Sequence, residues 1–361
     1  MRPLVVDLGR DYRGGQDQAL LLLQGLLARG HAPQLTTLRD SLLARRAKDA
    51  GISVHSVPPG CRRLAAAQAI RRLVRGRRVD VVHANEPHAL SSAWLARAHR
   101  FVPLVVSRRI ALPLSTNSFS FARYRAAGRI IAVSEFVKKS VIASGLAADC
   151  VEVIYDGVEI PATISPTDRD PARKRFEISQ ENFCLANVAA FVPEKGHALL
   201  INALANLRVK FPECVLLLPG DGPEKNKLQE VVRQLRLETV VKFPGFVSDI
   251  ETVYAATDLF VFPSHEEPLG SSLLCAMARE LPVVAVARGG VPEVVEDGKN
   301  GLLVKELDPV VLAAAIARLL ANPTEARCLG EVARETISSR FSTDRTVDAT
   351  LQLYERLIAV R

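Results

Sequence analysis

The sequence predicts an α/β protein with two doubly wound parallel sheets, one in each of two domains that face each other across a cleft. A length of 361 residues suits about two domains. Short β-branched runs alternate with longer helical patterns, as they do in βαβ units. This alternation begins a second time near the middle of the chain, so the two domains should have similar folds.

The first domain is predicted to span residues 1–160. Its expected strands are LVVDLG at 4–9, PQLTTL at 33–38, DVVHAN at 80–85, PLVVSRR at 103–109, RIIAVS at 129–134 and VEVIYDG at 151–157. Residues 161–182 are rich in Pro, Asp and Ser at their start and sparse in apolar residues, which indicates a linker.

The second domain is predicted to span residues 183–342. Its expected strands are FCLANVAAF at 183–191, CVLLLPGDG at 214–222, VVKFPGF at 240–246, LFVFPSH at 259–265, PVVAVA at 282–287 and GLLVKE at 301–306. These runs are continuously apolar, as in strands buried on both faces. A last helix at 343–361 is expected to pack back on the first domain. Ligands of such sheets lie beyond the carboxyl ends of the strands, which places the expected site in the cleft.

The composition indicates a folded cytoplasmic protein. The six cysteines lie far apart without a Cys-x-x-Cys pair, so the sequence suggests neither a zinc knuckle nor a disulfide framework. The N-terminus lacks the pattern of a signal peptide. The longest apolar run, at 19–28, is too short to cross a bilayer.

The charge is distributed unevenly. Residues 1–156 hold 24 Lys and Arg against 11 Asp and Glu, a net charge of +13, whereas the remainder has a net charge of −5. Part of the excess lies in a predicted basic helix, CRRLAAAQAIRRLVRGRR at 61–78. Such a helix is typical of a solvated face, of a surface that holds an anionic acceptor, or of peripheral attachment to the inner face of an anionic membrane. Few aromatic residues accompany the arginines, which argues against nucleic acid as a partner.

Two loops after predicted strands are suited to anions. Gly14 and Gly15 precede a helix, where backbone N–H groups can approach a ligand closely. Lys195 follows the first strand of the second domain and offers a point charge for a phosphate. A plain turn and an exposed lysine are the structural alternatives.

The stretch SHEEPLGSS at 264–272 is more specific. It delivers Glu267 and then Gly270 to a helix that starts near Ser271. The helix start favours a diphosphate, and a carboxylate accepts hydrogen bonds from sugar hydroxyls. Together they predict a site for a nucleotide sugar, against the alternative of a surface acid beside a simple N-cap.

The order of these motifs resembles that of the retaining glycosyltransferases of family 4 (group 1), which have the GT-B fold of two Rossmann-like domains. The resemblance covers nearly the whole chain. It is carried by the Gly14–Gly15 loop and by DVVHAN at 80–85, IIAVSEFVKKSVIASG at 130–145, VIYDGVEI at 153–160, VPEKGH at 192–197, PGDGPEKNKL at 219–228, VKFPGF at 241–246 and the long stretch at 263–304.

This resemblance implies transfer of a sugar from a nucleotide-diphosphate donor, with no obligatory metal or other cofactor. It implies a donor site in the second domain and an acceptor site in the first. Glu267, Lys195 and Arg109 are then the expected catalytic residues, and His83, Arg108 and Arg109 the expected acceptor residues. The expected donor-binding residues are Gly14, Gly15, Lys195, Gly220, Gly222, Glu267, Leu269, Gly270, Ser271 and Cys275.

The chain departs from the family pattern at several positions. Cys275 stands where the family has a second glutamate that holds the ribose hydroxyls, and a thiol cannot accept two strong hydrogen bonds. Ala189 and Ala190 stand where an arginine often shares the diphosphate. Arg109 occupies the place of a histidine that many family members have after their fifth strand, and Glu280 that of a glycine.

The predicted function is therefore a retaining glycosyltransferase that acts on a glycan or lipid-linked acceptor in lipopolysaccharide or surface polysaccharide synthesis. The alternative is a non-catalytic GT-B protein that binds a nucleotide or glycan, which Cys275 favours. A sugar-nucleotide epimerase ranks last because the sequence shows no convincing acid and base pair. A metal site at His83, Glu86 and His88 matches no standard ligand spacing.

Overall fold

A computed structural model describes residues 1–114 and 118–360 of the chain. It divides into two compact units, the first formed by Met1–Gly157 with the C-terminal residues from Thr343, and the second by Val158–Ser342. Each unit contains one parallel sheet with helices, so the predicted α/β class with two doubly wound sheets is confirmed.

The first unit contains a seven-stranded sheet in the order β3-β2-β1-β4-β5-β6-β7. Its strands are β1 (Pro3–Val6), β2 (Gln34–Leu38), β3 (Ser53–Val57), β4 (Val81–Ala84), β5 (Leu104–Arg108), β6 (Arg129–Ala132) and β7 (Val151–Val153). Its helices are α1 (Gly14–Ala28), α2 (Leu42–Asp49), α3 (Arg62–Arg75), α4 (Pro87–Leu95), α5 (Ser118–Arg125), α6 (Glu135–Ala143) and, at the end of the chain, α15 (Thr343–Ala359).

The second unit contains a six-stranded sheet in the order β10-β9-β8-β11-β12-β13. Its strands are β8 (Phe183–Ala186), β9 (Cys214–Pro219), β10 (Val241–Gly245), β11 (Leu259–Phe262), β12 (Val283–Val286) and β13 (Leu302–Val304). Its helices are α7 (Pro166–Arg175), α8 (His197–Arg208), α9 (Lys225–Gln234), α10 (Ile250–Ala256), α11 (Ser271–Met277), α12 (Val291–Val294), α13 (Pro309–Ala321) and α14 (Pro323–Arg340).

In both sheets the strand order reverses once. The first strand of each unit pairs with the second on one side and with the fourth on the other, so β1 lies beside β4, and β8 beside β11. The connections leave these neighbouring strands in opposite directions, which opens a crevice at their carboxyl ends. The loops after β1, β4, β8 and β11 are therefore the places where each unit can hold a ligand.

Two segments differ from the sequence expectations. Strand β3 was not predicted, because in SVHSV only Val57 is buried and the run lacks the apolar continuity of the other strands. The stretch 161–182, predicted as a linker, contains α7, whose Arg169 and Arg173 form ion pairs with Asp258 in the second unit. Pro166 at the first helical position and the Ser165 cap explain why a proline-rich start still forms a helix.

Helix α15 packs within the first unit. A β-carbon added at Gly25 of α1 would lie 2.5 Å from a methyl group of Val347, so the two helices are in close contact. Arg29 of α1 also binds Asp344 and Asp348 of α15. None of the described helices is long and apolar enough to cross a membrane.

Glu280 adopts a left-handed conformation, with φ of 61°, in the turn that closes α11. Glycine, which has no β-carbon, occupies such positions without strain, whereas other residues destabilise the fold there by about 1–2 kcal/mol. The side chain forms an ion pair of 3.4 Å with Arg334, which is worth less than about 1 kcal/mol at this exposure. The glycine that the family usually has at this position therefore has a conformational reason.

We expect Glu280→Gly to be more stable than Glu280→Ala by about 1 kcal/mol in free energy of unfolding. Both variants lose the ion pair with Arg334, but only glycine relieves the left-handed backbone. Urea unfolding of the two variants measures the difference. An alanine variant as stable as the glycine variant would show that the turn is not strained.

Candidate functional site

The second unit brings Lys195 and Glu267 together. Lys195 ends a short 3-10 turn, Pro193–Lys195, in the loop after β8, and Glu267 lies in the loop after β11. Because β8 and β11 are neighbours at the reversal of strand order, residues 72 positions apart in sequence meet, and Lys195 Nζ lies 2.6 Å from Glu267 Oε2. The Glu267 side chain is 9% exposed and that of Lys195 is 25% exposed. Both charged groups predicted for the donor therefore lie side by side.

Two glycines that the sequence analysis did not select hold the Glu267 loop in place. A β-carbon at Gly289, in the loop after β12, would lie 2.0 Å from the Glu267 carbonyl oxygen, and the neighbouring Gly290 N–H donates to that oxygen at 2.8 Å. On the other side, a β-carbon at Gly196 would lie 2.1 Å from the Pro263 carbonyl oxygen. The adjacent glycines before α12 were the sequence signal for this close approach.

Gly270 and Ser271 begin α11. Gly270 has φ of 105°, and a β-carbon there would lie 3.1 Å from the ring of Phe262, so both the backbone and the space favour glycine. Ser271 is exposed, whereas the Leu269 side chain is only 3% exposed. Any contact of Leu269 with a ligand would therefore come from its backbone.

Gly220 and Gly222 hold the loops after β8 and β9 together. A β-carbon at Gly220 would lie 2.2 Å from the carbonyl oxygen of Ala189, and one at Gly222 would lie 2.5 Å from that of Phe191. The two glycines thus position the loop that leads to Lys195, which gives them a structural role beside the predicted contact with a donor.

Cys275 lies in a polar cluster on one side of α11. Its thiol is a hydrogen-bonding partner of the Tyr254 hydroxyl. The Arg279 guanidinium lies 4.6 Å from the centre of the Tyr254 ring and donates to the Cys275 carbonyl oxygen at 2.6 Å. Burial is the main reason why the pKa of Tyr254 is well above its usual range, so this hydroxyl keeps its proton and remains a donor.

The first unit brings Arg109 and the Gly14–Gly15 loop together through Asn85. Arg109 Nη1 donates to Asn85 Oδ1 at 2.7 Å, and Asn85 Nδ2 donates to the Gly15 carbonyl oxygen at 2.8 Å. Asn85 also donates to buried Asp7 at 2.7 Å. A β-carbon at Gly15 would meet nothing within 4 Å, so the space beside this helix start is open to a ligand.

Arg109 is held in place by Asp156, which was not among the predicted site residues. Its Nε donates to both carboxylate oxygens of Asp156, at 2.8 and 2.9 Å. Among the described residues, no partner binds Nη2 of Arg109. A fixed guanidinium with a remaining donor is well suited to an anionic oxygen. The polar residue Asn85 directly after β4 was the available signal for this network.

Arg108 and His83 lie inside the first unit. Arg108 is 6% exposed and its guanidinium donates to the Leu112 carbonyl oxygen and, at 3.3 Å, to the Tyr124 hydroxyl. His83 is 1% exposed, with its two ring nitrogens 2.5 Å from the Tyr354 hydroxyl and 2.7 Å from Ser107 Oγ. Both predicted acceptor residues are thus buried, His83 beneath Tyr354 of α15, and Arg108 with its Nε lacking a partner among the described residues. We leave both out of the proposed acceptor site.

His83 predicts a pH effect on stability. Burial, with a smaller contribution from Arg109, lowers its pKa to about 3 from the usual 6.5. Between these pH values the unfolded chain binds a proton that the folded chain does not, so His83 makes folding less favourable as the pH falls below 6.5. The slope is about 1.4 kcal/mol per pH unit. We expect His83→Gln to show a shallower loss of stability from pH 6.5 to pH 4 in urea unfolding; identical slopes would contradict the assignment.

Comparisons with known proteins show which family the chain resembles. The family described as "Glycosyl transferases group 1" matches residues 168–336, and "Glycosyltransferase Family 4" matches residues 12–160. No group of three or more His, Cys, Asp or Glu side chains suited to a metal ion occurs in the described part of the chain.

Two curated relatives and one solved structure illustrate the similarity. A D-inositol 3-phosphate glycosyltransferase of Saccharomonospora viridis is 31% identical over 78% of this chain and 70% of its own. The lipopolysaccharide core biosynthesis glycosyltransferase LpsE of Rhizobium meliloti is 36% identical over 50% of this chain, which spans about half, 52%, of that relative. The crystal structure of Anabaena Alr3699/HepE in complex with UDP and glucose is 26% identical, with a TM-score of 0.85 over 98% of this chain and 99% of its own.

Proposed function

The chain belongs to the group 1 glycosyltransferases of family 4, and from that premise we propose that it transfers a sugar, with retention of anomeric configuration, from a nucleoside diphosphate sugar. The proposed acceptor is a glycan or a lipid-linked glycan of lipopolysaccharide or surface polysaccharide synthesis. The similarity to LpsE supports the polysaccharide assignment.

The observation that carries the proposal is the ion pair of Lys195 and Glu267 at the reversal of strand order in the second unit. A cation and a carboxylate side by side suit the two ends of a sugar diphosphate, since Lys195 can bind the diphosphate and Glu267 can accept hydrogen bonds from sugar hydroxyls. Donor binding would exchange the present ion pair for these contacts. The N–H groups at Gly270 and Ser271 are proposed to add to the phosphate contacts.

In the first unit, Arg109 and the amides of Gly14 and Gly15 are proposed to hold an anionic oxygen of a substrate. Asp156 and Asn85 fix the guanidinium, so little reorganisation is needed when charge develops. We assign no residue as a nucleophile. In our proposal the leaving diphosphate helps to take the acceptor proton, and the protein contributes orientation and charge stabilisation.

A non-catalytic protein that binds a nucleotide or glycan is the second candidate. Cys275 supports it, because the thiol is engaged with Tyr254 and offers no carboxylate to a ribose. The groups proposed for the diphosphate and the sugar are nevertheless all present.

Titration calorimetry with uridine, guanosine and adenosine diphosphates, followed by assays of the corresponding sugar nucleotides, tests the function. UDP is the first choice, because HepE is described in complex with UDP and glucose. We expect one diphosphate to bind and its sugar nucleotide to be consumed in the presence of a glycan acceptor. Tight binding without turnover for every donor and acceptor would favour the non-catalytic alternative.

A further inference from the structure

A second cleft lies in the first unit, at the amino ends of its strands. It has a volume of about 740 Å³. It is formed by the end of α3, by residues just before β1, β4 and β5, and by one residue of α15. The residues used below are Arg2, Arg75, Arg77, Arg100, Phe101 and Ile358.

This position separates the cleft from Arg109 and the Gly14–Gly15 loop within the first unit. In a parallel sheet all the amino ends of the strands lie on one side and all the carboxyl ends on the opposite side. Arg109 and the Gly14–Gly15 loop follow the strands, whereas Arg2 precedes β1 and Arg100 precedes β5. Substrates of doubly wound sheets bind at the carboxyl ends of the strands, so glycosyl transfer does not account for this cleft.

The cleft is strongly cationic. Four arginines line it against a single acid, Asp80, and that acid is occupied by Arg2 at 2.7 Å. Within the described ranges, no side chain accepts a hydrogen bond from, or forms an ion pair with, the guanidinium groups of Arg75, Arg77 and Arg100. Three like charges around one concave surface raise the local concentration of anions, and guanidinium groups match phosphate oxygens in geometry.

Arg77 occupies an unfavourable backbone conformation to reach the cleft. It has φ of 52° in the turn after α3, directly after Gly76. The Arg77 N–H donates to the Val74 carbonyl and the Arg78 N–H to that of Leu73, the bonding pattern in which glycine normally takes the left-handed position. Arg97, Glu177 and Arg236 adopt the same conformation elsewhere in the chain, so this conformation fixes the position of Arg77 without marking a binding role.

The cleft also has an apolar part. Phe101 is 44% exposed, and the Arg75 guanidinium lies 6.0 Å from the centre of its ring. Ile358 is half-buried beside the arginines. A small inorganic anion would leave this apolar surface in water, whereas an amphiphile would cover it.

We propose that this cleft binds the phosphate group of an anionic membrane lipid, with Arg75, Arg77 and Arg100 around the phosphate and Phe101 against the adjoining apolar chain. The site would attach the first unit to a membrane surface through the amino ends of its strands, whereas Arg109 lies at the carboxyl ends. It requires neither the donor groups nor Cys275, so its failure would leave the proposed transferase function untouched.

Co-sedimentation with vesicles tests the site, with phosphatidylcholine alone compared with phosphatidylcholine that contains phosphatidylglycerol. The test variant is Arg77→Gly/Arg100→Gln. The matched control is Arg45→Gln/Lys48→Gln, which removes two exposed positive charges from α2. We expect the full-length protein to prefer the anionic vesicles. The test variant should bind them about 25-fold more weakly, at about fivefold per arginine, and the control should change less than about threefold.

Weaker vesicle binding by the test variant cannot be explained by a less stable fold. Glycine suits the left-handed position of residue 77, so the test variant should melt at or above the temperature of the unchanged protein while it binds less. Equal losses in test and control variants, or equal binding to both kinds of vesicle, would overturn the proposal.

A second experiment distinguishes the phosphate of a lipid from that of a soluble compound. Inorganic phosphate and glycerol 3-phosphate are titrated by calorimetry into the same variants. Binding of either that Arg77→Gly/Arg100→Gln abolishes, without any vesicle binding, would overturn the lipid assignment in favour of a soluble phosphate compound. Competition by a short single-stranded oligonucleotide for the protein, in the absence of vesicle binding, would overturn it in favour of nucleic acid.

Discussion

Replacement of Lys195 by alanine is expected to lower kcat/KM for sugar transfer by about 100- to 1,000-fold, the range seen when one preorganised donor to a developing negative charge is removed. Lys195 lies 2.6 Å from Glu267, and among the described residues it is the only cation within ion-pair distance of that carboxylate. Ala189 and Ala190 provide no second charge in the loop after β8. The diphosphate would therefore lose its main positive partner in this unit.

The alanine variant also leaves the buried Glu267 without its counter-charge, so loss of activity has two explanations. Comparison of the single variant Glu267→Gln with the double variant Lys195→Ala/Glu267→Gln separates them, because neither holds an unpaired carboxylate and any further loss in the double variant comes from Lys195. Melting temperatures check the fold, and Lys305→Ala, which changes an exposed lysine of the same unit, serves as the control. Steady-state rates for Lys195→Ala close to those of the unchanged protein would contradict the assigned role.

Replacement of Cys275 by glutamate is expected to tighten nucleoside diphosphate binding by about 10- to 100-fold, since a charge-assisted hydrogen bond contributes about 1.5–3 kcal/mol. The surroundings hold a guanidinium and a hydroxyl group. Arg279, which also pairs with Glu251, lies nearby, and the protonated Tyr254 hydroxyl, which also donates to the Ser272 carbonyl oxygen at 3.3 Å, is a donor. The new side chain is expected to bind the two ribose hydroxyls as the second family glutamate does.

Calorimetry with UDP compares Cys275→Glu with Cys275→Gln, which has a similar size but no charge, and with Cys275→Ala. Only the glutamate variant should gain affinity by more than about threefold. If the natural chain shows no turnover and the glutamate variant does, the result would support the non-catalytic alternative for the natural chain. If the glutamate variant binds no better than the glutamine variant, the ribose does not lie beside position 275.

The strands were predictable from local pattern, and the exceptions have physical causes. Buried parallel strands such as β9 and β11 are continuously apolar and stand out in a linear sequence. Strand β3 does not, because at the edge of its sheet four of its five residues stay at least partly exposed. The left-handed backbone of Glu280 could not be predicted from the local sequence pattern, although a glutamate in place of the usual family glycine drew attention to this position.

The site residues were only partly predictable. Lys195 and Glu267 were selected by their residue type and their place after a strand, and Arg109 by the family resemblance. The structure shows the partners that the sequence could not: Lys195 and Glu267 bind each other, and Asp156 binds Arg109. His83 was also expected from the resemblance, yet Tyr354, 271 residues later, covers it.

The sequence by itself determined the α/β class, the repeated βαβ pattern and the chemical types available after each strand, because periodicity and turn residues act over a few neighbouring positions. Only the tertiary structure decided which of those groups meet, which are buried and which retain an unused donor. These outcomes depend on strand order and on helix packing between residues far apart in the chain, and they decide that Arg109 is held at the carboxyl edge of its sheet while His83 is sealed inside.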